Sequence, residues 1–567
     1  MAIDLPPVIP PQASTAERIV QYSSAREDAV YEAEVAGYTL RITGNRHLSK
    51  EQLDMLMAAA KTPAQAVNAL NQSYHHLGHL LTTIYFAQRD ETIFVHVING
   101  TLADIKAPEG IKEHFSSLIG DSDLHRSEFD TKRVLANLKS DRAGLDYGIS
   151  YQVSGDPNAL TMVFSEREKA DHDATVLSLS ANNYGNRFLG RYFGGVSAKH
   201  DFANGLHLQF VYDRALTELG EVNGGDYYDG YTFRLNYPSQ WGLYGIEARH
   251  VEYARFADAL VTTANDPLLS LGTCDIALLC ALLGGTGTSI NIGGGGTTTT
   301  SEEVYLEHRT QSAALTGEQV LMSDSLYRLT LTERVEYIDS TIDLRGGGAL
   351  LDEPQTNLEL GLKFNRLLRL AGFPSRLTVQ AFIDFGLKSD SGTFATDDRQ
   401  GVVFIGRRTS EFTIFKPRFS LQSAVVDWAN LTASFTGQYS DGSQLPLQQQ
   451  YYLGGSNGLA AYLPGVLVGD SGHYAKLSFE SNPLPFMGLE IKPSVFIEQG
   501  WVWYEDARGD AGDTRMISDA GFALKASYKD YLSSEFVVAH PIDDENINQS
   551  LLDAAEVDFF WRLKVSY

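Results

Sequence analysis

Cysteine is nearly absent from this chain: 567 residues contain two, Cys274 and Cys280. Two cysteines alone do not make a metal site, and their C-x5-C spacing is not a usual zinc pattern. Both sit in one long loop-like insert, where a mutual disulfide is expected on an oxidising exterior. Long apolar runs are missing too. Nothing approaches the roughly 18 apolar residues of a spanning helix, and the nearest stretch, Ile276 to Leu283, is far too short. Positive charge is scarce: 45 Lys and Arg face 71 Asp and Glu, a net charge of −26. Nucleic acid needs a basic surface, so it is excluded as a partner. The start, Met1-Ala2-Ile3-Asp4-Leu5, has no basic stretch and no apolar core, so no signal peptide is read there. An exported protein of this sequence is expected to be a mature chain with an added Met.

Catalytic signatures are equally thin. The segment Gly293-Gly294-Gly295-Gly296 is followed by threonines, not by Gly-Lys-Ser/Thr, so it is no phosphate loop. No Gly-x-Ser-x-Gly nucleophile element occurs. His75, His76 and His79 lie near a helix end, but no nearby carboxylate or Cys completes a ligand set. No catalytic residue, metal or cofactor is expected.

Aromatic residues, by contrast, are plentiful, with 28 Tyr and 28 Phe. The last segment uses them in strict alternation. Val557, Phe559, Trp561, Leu563, Val565 and Tyr567 are apolar or aromatic, with Asp558, Arg562, Lys564 and Ser566 between them and Phe560 as the exception. Period two marks a strand with one greasy and one polar face. An open edge of this kind is sticky. A closed membrane barrel removes the edge and gives the greasy face somewhere to go.

The first 170 residues have a different texture. Ser14-Thr15-Ala16-Glu17 is a capping-box pattern that predicts a helix to about Ala29. A β-α-α-β-β order follows: strand 38–42, helices 50–60 and 63–77, strands 82–87 and 92–97. It then repeats: strand 101–106, helices 110–118 and 127–140, strands 147–153 and 159–164. Two copies of one α+β unit are an internal repeat. From about His172 the helical pattern ends. About 16 alternating segments fit between Val176 and Tyr567, with short turns and long polar loops in alternation, the outer-membrane pattern. An even number puts the last strand beside the first. The expected boundaries are 1–37 for an N-terminal segment, 38–100 and 101–170 for the two units, and 171–567 for the barrel.

Two such units ahead of a barrel resemble the TpsB-type outer-membrane transporters of two-partner (type V) secretion. These are the haemolysin secretion/activation proteins and filamentous-haemagglutinin exporters, in the superfamily of barrel-assembly insertases. The units are similar to polypeptide-transport-associated (POTRA) domains. Leu77-Gly78-His79-Leu80-Leu81-Thr82-Thr83 and Val95-His96-Val97-Ile98-Asn99-Gly100 carry that likeness. The strongest match runs from Leu445-Pro446-Leu447 through Tyr452-Leu453-Gly454-Gly455-Ser456-Asn457-Gly458-Leu459-Ala460-Ala461-Tyr462 to Gly469-Asp470-Ser471-Gly472. In the family this is a loop, here about 442–471, that folds into the lumen. Its tip is normally Val-Arg-Gly-aromatic. Leu459, Ala460, Ala461 and Tyr462 stand there, so the tip arginine is missing. The family's wall motif, Phe-x-Asp-x-Gly, corresponds to Phe496, Glu498 and Gly500, which alternation turns towards the lumen.

The resemblance implies an exporter that recognises a secreted, β-helical partner protein in the periplasm through its modules and passes it through the barrel, with no cofactor. It implies outer-membrane lipid around the wall and barrel-assembly machinery reading the strand that ends in Tyr567. The alternatives are an insertase for other barrels or a passive porin. Three further expectations follow. The loop enters the lumen without an arginine clamp, with Tyr462 packed near Phe496 and Gly500. Glu498 stands alone there, within reach of water. The helix 14–29 plugs the pore.

Overall fold

The computed structural model describes residues 2–24, 29–153, 156, 158–185, 190–219, 227–263, 267–270, 298–345, 349–395, 408–456, 458–505 and 513–567. Cys274 and Cys280 lie outside the described residues, and with them the expected disulfide.

Each N-terminal unit folds around its own apolar core. In the first, strands Tyr38–Thr43, Thr82–Arg89 and Thr92–Asn99 carry helices Lys50–Ala59 and Pro63–His76. Ser49 and Gln52 cap the first helix reciprocally; Thr62 caps the second, with Pro63 at its opening position. Leu40, Leu53, Leu70, Tyr74, Ile84 and Val95 fill the space between helices and sheet. The second unit has strands Thr101–Lys106, Leu145–Val153 and Ala159–Glu168, with helices Glu109–Phe115 and Arg126–Ala143. The long helix stops at Gly144, whose φ of 70° is the left-handed ending that glycine adopts without strain. Phe115, Phe129, Leu102 and Met162 lie in its core.

Two features at the start of the chain differ from expectation. The helix, Ala16–Ser24, is not in the pore: Ala16 and Ile19 pack on Ala87, Tyr85 and Phe94 of the first sheet. Connectivity explains this. Gln12–Ala13 pair in parallel with Tyr85 and Phe86, and a further strand, Tyr31–Val35, forms a hairpin with Tyr38–Thr43. The chain that would have reached the lumen is spent on the first module. Residues further upstream cross the second module. Ile3 bridges Tyr147 in parallel, with Tyr147 N donating to Ala2 O (2.6 Å) and Asp4 N to Tyr147 O (2.9 Å).

From Thr175 onward the chain forms a closed antiparallel barrel of 16 strands. Three short segments, Pro267–Ser270, Ala349–Asp352 and Leu484–Phe486, are side pairings on that wall. The apolar residues point outwards: Leu179, Ile246, Leu315, Leu362, Ile497 and Val565 are each 46–62% exposed in the isolated chain. That is the inverse of a soluble core and the wall a bilayer requires. No described helix is long and apolar enough to cross a membrane, which says nothing about strands.

The barrel closes between Phe560–Ser566 and Thr175–Asn182, over the register Arg562↔Asn182 to Ser566↔Ser178. This last strand is shorter than the alternation from Val557 suggested. Val557 leaves the lipid-facing stripe and is 2% exposed, inside. The long helix of the second module lies under the barrel turns. Arg142 donates to Asn236 Oδ1 (2.5 Å) and Gly205 O (3.1 Å), Lys139 to Tyr237 (3.0 Å), and Ser323 N to Thr131 Oγ1 (2.9 Å).

Candidate functional site

The segment after strand Ala429–Ser440 turns inwards. Tyr451–Leu453 pair with Leu467–Gly469 in a short hairpin detached from the wall. Its bend demands glycine: Gly454 has φ 115°, and a Cβ there would meet Leu463 O at 2.3 Å. The tip closes on itself through Gly455 N to Tyr462 O (2.8 Å) and Tyr462 N to Leu459 O (3.1 Å). Leu459, Ala460, Ala461 and Tyr462 are all within 2% of full burial. The loop therefore fills this part of the lumen.

Glu498 holds the tip, but not as a lone carboxylate. It is 1% exposed. Its Oε1 accepts from the Ala460 backbone N at 2.6 Å. Its Oε2 accepts from the Tyr474 hydroxyl and lies 3.0 Å from Lys476 Nζ. Lys476 is directly opposite Glu498 on the adjacent strand, and its ammonium also stands 3.9 Å over the Phe496 ring. Thus the cation that the tip lacks is supplied by the wall. On the other side, Asp519 is the direct cross-strand partner of Glu498, and its Oδ2 accepts from Ala461 N at 2.8 Å. Two buried carboxylates grip two successive backbone amides. The bond to Glu498, which is paired with Lys476, is charge-assisted and stronger than a neutral one, and a buried carboxyl group without such partners is costly. A backbone grip needs no particular side chain at the tip, which is why alanine suffices.

Gly500 makes room, as its place in the motif suggests, but for different neighbours. A Cβ on Gly500 would meet Leu453 Cδ1 at 2.6 Å and Leu459 Cδ1 at 3.1 Å. Tyr462 shares the same apolar cluster as Phe496. Its backbone, however, bridges Glu556, flanked by Leu463 N to Ala555 O (2.8 Å) and Val557 N to Ala461 O (2.9 Å). The expectation of Tyr462 over Gly500 is therefore corrected: leucines occupy that place. Tyr462 is instead drawn to the segment leading into the final strand, because the tip adds there as a short antiparallel pairing.

The root of the loop is fixed by polar groups, of which Asp470 belongs to the matched Gly469-Asp470-Ser471-Gly472 segment. Asp470 accepts from Leu445 N and Glu505 N, both at 3.0 Å. Burial pushes its carboxyl up to about 6, against the pull of those amides. Leu447 N donates to Glu353, itself 3.6 Å from Arg408. Across the lumen, Arg334 bridges Glu247 (3.1 Å) and Glu336 (2.8 Å), and Lys416 bridges Asp384 (2.9 Å) and Glu359 (3.2 Å). A polar cavity of about 250 Å³ lies between that ladder and Gln448. The lumen is thus a loop-filled half facing a half lined with paired charges. Tyr474, Lys476 and Asp519 were not picked out from sequence. The signal for Asp519 was alternation on the strand after Glu498; Lys476 needed the inter-strand register.

The family profile of haemolysin secretion/activation proteins ShlB/FhaC/HecB matches residues 297–526. Among solved structures, CdiB from Escherichia coli shares the fold with a TM-score of 0.66 at 14% identity, over 96% of this chain and 92% of that one. CdiB from Acinetobacter baumannii gives 0.60 at 15%, over 95% and 90%. BamA from Haemophilus ducreyi lacking POTRA domains 1–3 gives 0.50 at 12%, over 95% and 100%. At such identities the structural likeness is one of fold. No curated protein matches in sequence.

Proposed function

We propose that this chain, a TpsB-type outer-membrane transporter as its family match and fold support, exports a secreted partner protein to the cell surface or medium. The observation that carries this reading is the coupling of two POTRA-like modules to a closed barrel whose lumen holds an inward hairpin. Residues 38–100 and 101–170 are assigned as the modules, 171–567 as the barrel, and 1–37 as an N-terminal segment. The modules stand in the periplasm and offer sheet edges. An extended stretch of the partner, a β-helical exoprotein, adds to such an edge through main-chain hydrogen bonds. In the second sheet the order is Thr101–Lys106, Ala159–Glu168, Leu145–Val153, which leaves Leu145–Val153 at one edge. Residues 2–4 pair there only around Tyr147. The partner then passes through the lumen once the hairpin shifts, with neither nucleotide nor cofactor. Folding of the exported protein outside traps it there. Lipid surrounds the apolar belt, and the strand ending at Tyr567 is the one read by barrel-assembly machinery.

Coexpression with a long secreted β-helical protein, sought first in the neighbouring gene, followed by assay of the medium, tests the proposal. Secretion that needs this chain supports it. An inserted, folded barrel with no partner in the medium refutes it. The fold shared with BamA favours one other reading, an insertase. In that case depletion of the chain lowers the abundance of other barrels instead.

A further inference from the structure

The junction of the two modules brings together side chains far apart in sequence. His79 follows the helix Pro63–His76, His47 lies in the loop before the helix Lys50–Ala59, and Asp123 belongs to the second module. Backbone pairing sets the junction: Leu80 N donates to Leu124 O (3.1 Å), Arg126 N donates to Gly78 O (2.7 Å), and His79 bridges His125. The two imidazoles of His47 and His79 are stacked, with centroids 3.7 Å apart and planes 20° apart. Both direct a ring nitrogen at one oxygen, Asp123 Oδ1, from 3.5 Å (His47 Nε2) and 2.8 Å (His79 Nδ1). One donor atom from each of the three lies within 4.8 Å of the others.

Hydrogen bonding accounts for only half of this arrangement. His79 and Asp123 form a normal hydrogen bond. His47 Nε2 is buried and has no hydrogen-bond partner. Burying such an atom costs free energy without return, yet it points at the same carboxylate. A cation between the three would satisfy it. Four-coordinate zinc places N and O donors about 2.0–2.2 Å from the metal, hence roughly 3.3 Å from one another. The two nitrogen–oxygen separations lie within about 0.5 Å of that; the donor nitrogens lie within 4.8 Å of each other, and the stacked rings must turn apart for both lone pairs to meet one ion. Two imidazoles and a carboxylate suit zinc and its transition-metal neighbours better than calcium or magnesium. Asp123, with half its side chain exposed, leaves an open side for water as a fourth ligand.

We infer that His47, His79 and Asp123 form a zinc-class divalent metal site that clamps the first module to the second. Two ligands come from one module and one from the other. Occupancy therefore narrows the angle between them, and so the alignment of their sheet edges.

The test uses the full-length chain, purified in detergent, and zinc itself. His47→Gln is the informative variant, because His47 Nε2 makes no hydrogen bond whose loss would disturb the fold. Titration calorimetry should show one zinc bound at micromolar or tighter affinity. His47→Gln and Asp123→Asn should each weaken it at least tenfold. For the mechanical claim, Cys274 and Cys280 are replaced by Ser, and spin labels are placed at Lys61→Cys and Glu113→Cys, one on each module. Zinc should narrow the measured distance distribution, and His47→Gln should abolish that narrowing. No zinc binding below about 100 µM, or equal binding by His47→Gln, overturns the site. Binding without any change in the distances overturns the clamp.

Discussion

The modules and the barrel bury opposite things. In the modules, Leu70, Ile84, Phe115 and Phe129 are sealed inside, and the few buried charges among the described residues, Asp130, Arg133 and Lys139, lie on one helix of the second module. In the barrel, Leu179, Leu362 and Val565 face out, while Glu498, Asp519 and Asp384 are sealed within. A module is held by apolar burial against water. The barrel gains nothing from moving its greasy side chains inwards when lipid surrounds it; its wall is held by inter-strand hydrogen bonds. Specificity inside the barrel must therefore come from polar geometry. That makes the two halves sensitive to different changes.

The sharpest test separates the halves. Deleting residues 38–165 should leave a folded, heat-modifiable barrel, because its ladder closes within itself. Secretion of the partner should fall to background. Undiminished secretion by the truncated chain would sink strand capture as the entry step.

Next in size is the polar grip on the loop. Glu498→Gln combined with Asp519→Asn replaces both carboxyl acceptors of the tip amides, of which the Lys476-paired Glu498 bond to Ala460 N is the charge-assisted one, worth about 1.5–3 kcal/mol. It also leaves Lys476 without its carboxylate. Amide exchange over 458–462 should accelerate on the order of 100-fold, read by hydrogen-exchange mass spectrometry. If exchange is unchanged, Leu453, Leu459 and the Glu556 pairing hold the tip by themselves. A Tyr462→Ala variant compares these directly, since Tyr462 belongs to the apolar part of the grip.

In the modules the matching weakness is a buried base. His114 is 3% exposed, and its Nε2 has no hydrogen-bond partner. Burial, and after it the charges of Lys139 and Lys132, lower it from 6.5 to about 4. The folded module holds a neutral ring, whereas the unfolded chain takes up a proton below about 6.5. Stability therefore drops as pH falls from about 6.5 and levels off below about 4, by at most about 3 kcal/mol. His114→Leu should flatten this acid limb in thermal melts of the full chain. A parallel curve for the variant would mean that other groups set it.

The smallest expected effect concerns residues 2–13, which pair with edges of both modules. Removing them should strengthen binding of an N-terminal fragment of the exoprotein by up to about tenfold, through loss of an internal competitor. Weaker binding would make this segment part of the docking surface rather than a cover.

Much of the architecture was readable without coordinates. The β-α-α-β-β pattern placed helices at 50–60 and 63–77, and the structure has them at Lys50–Ala59 and Pro63–His76. Caps and periodicity are local signals, so a local reading finds them. The inward loop was legible only through its likeness to the family's lumenal loop, and Glu498 through alternation on one strand. What alternation cannot show is which residues stand side by side on neighbouring strands.

The sequence by itself therefore determined the two-unit start, the alternating wall and the lumenal face of Glu498, while the inward hairpin followed from the family resemblance. Each of the first three depends on residues within one element. Tertiary structure decided the rest. Strand register set Lys476 and Asp519 beside Glu498 and so replaced the missing arginine. Parallel pairing at Tyr85 kept the first helix out of the pore. Packing of one module on the next carried His47 and Asp123 to His79. The physical reason is the same in all three cases. These contacts join segments from about 20 to over 70 residues apart, and their partners are chosen by where whole elements dock, which no local pattern encodes.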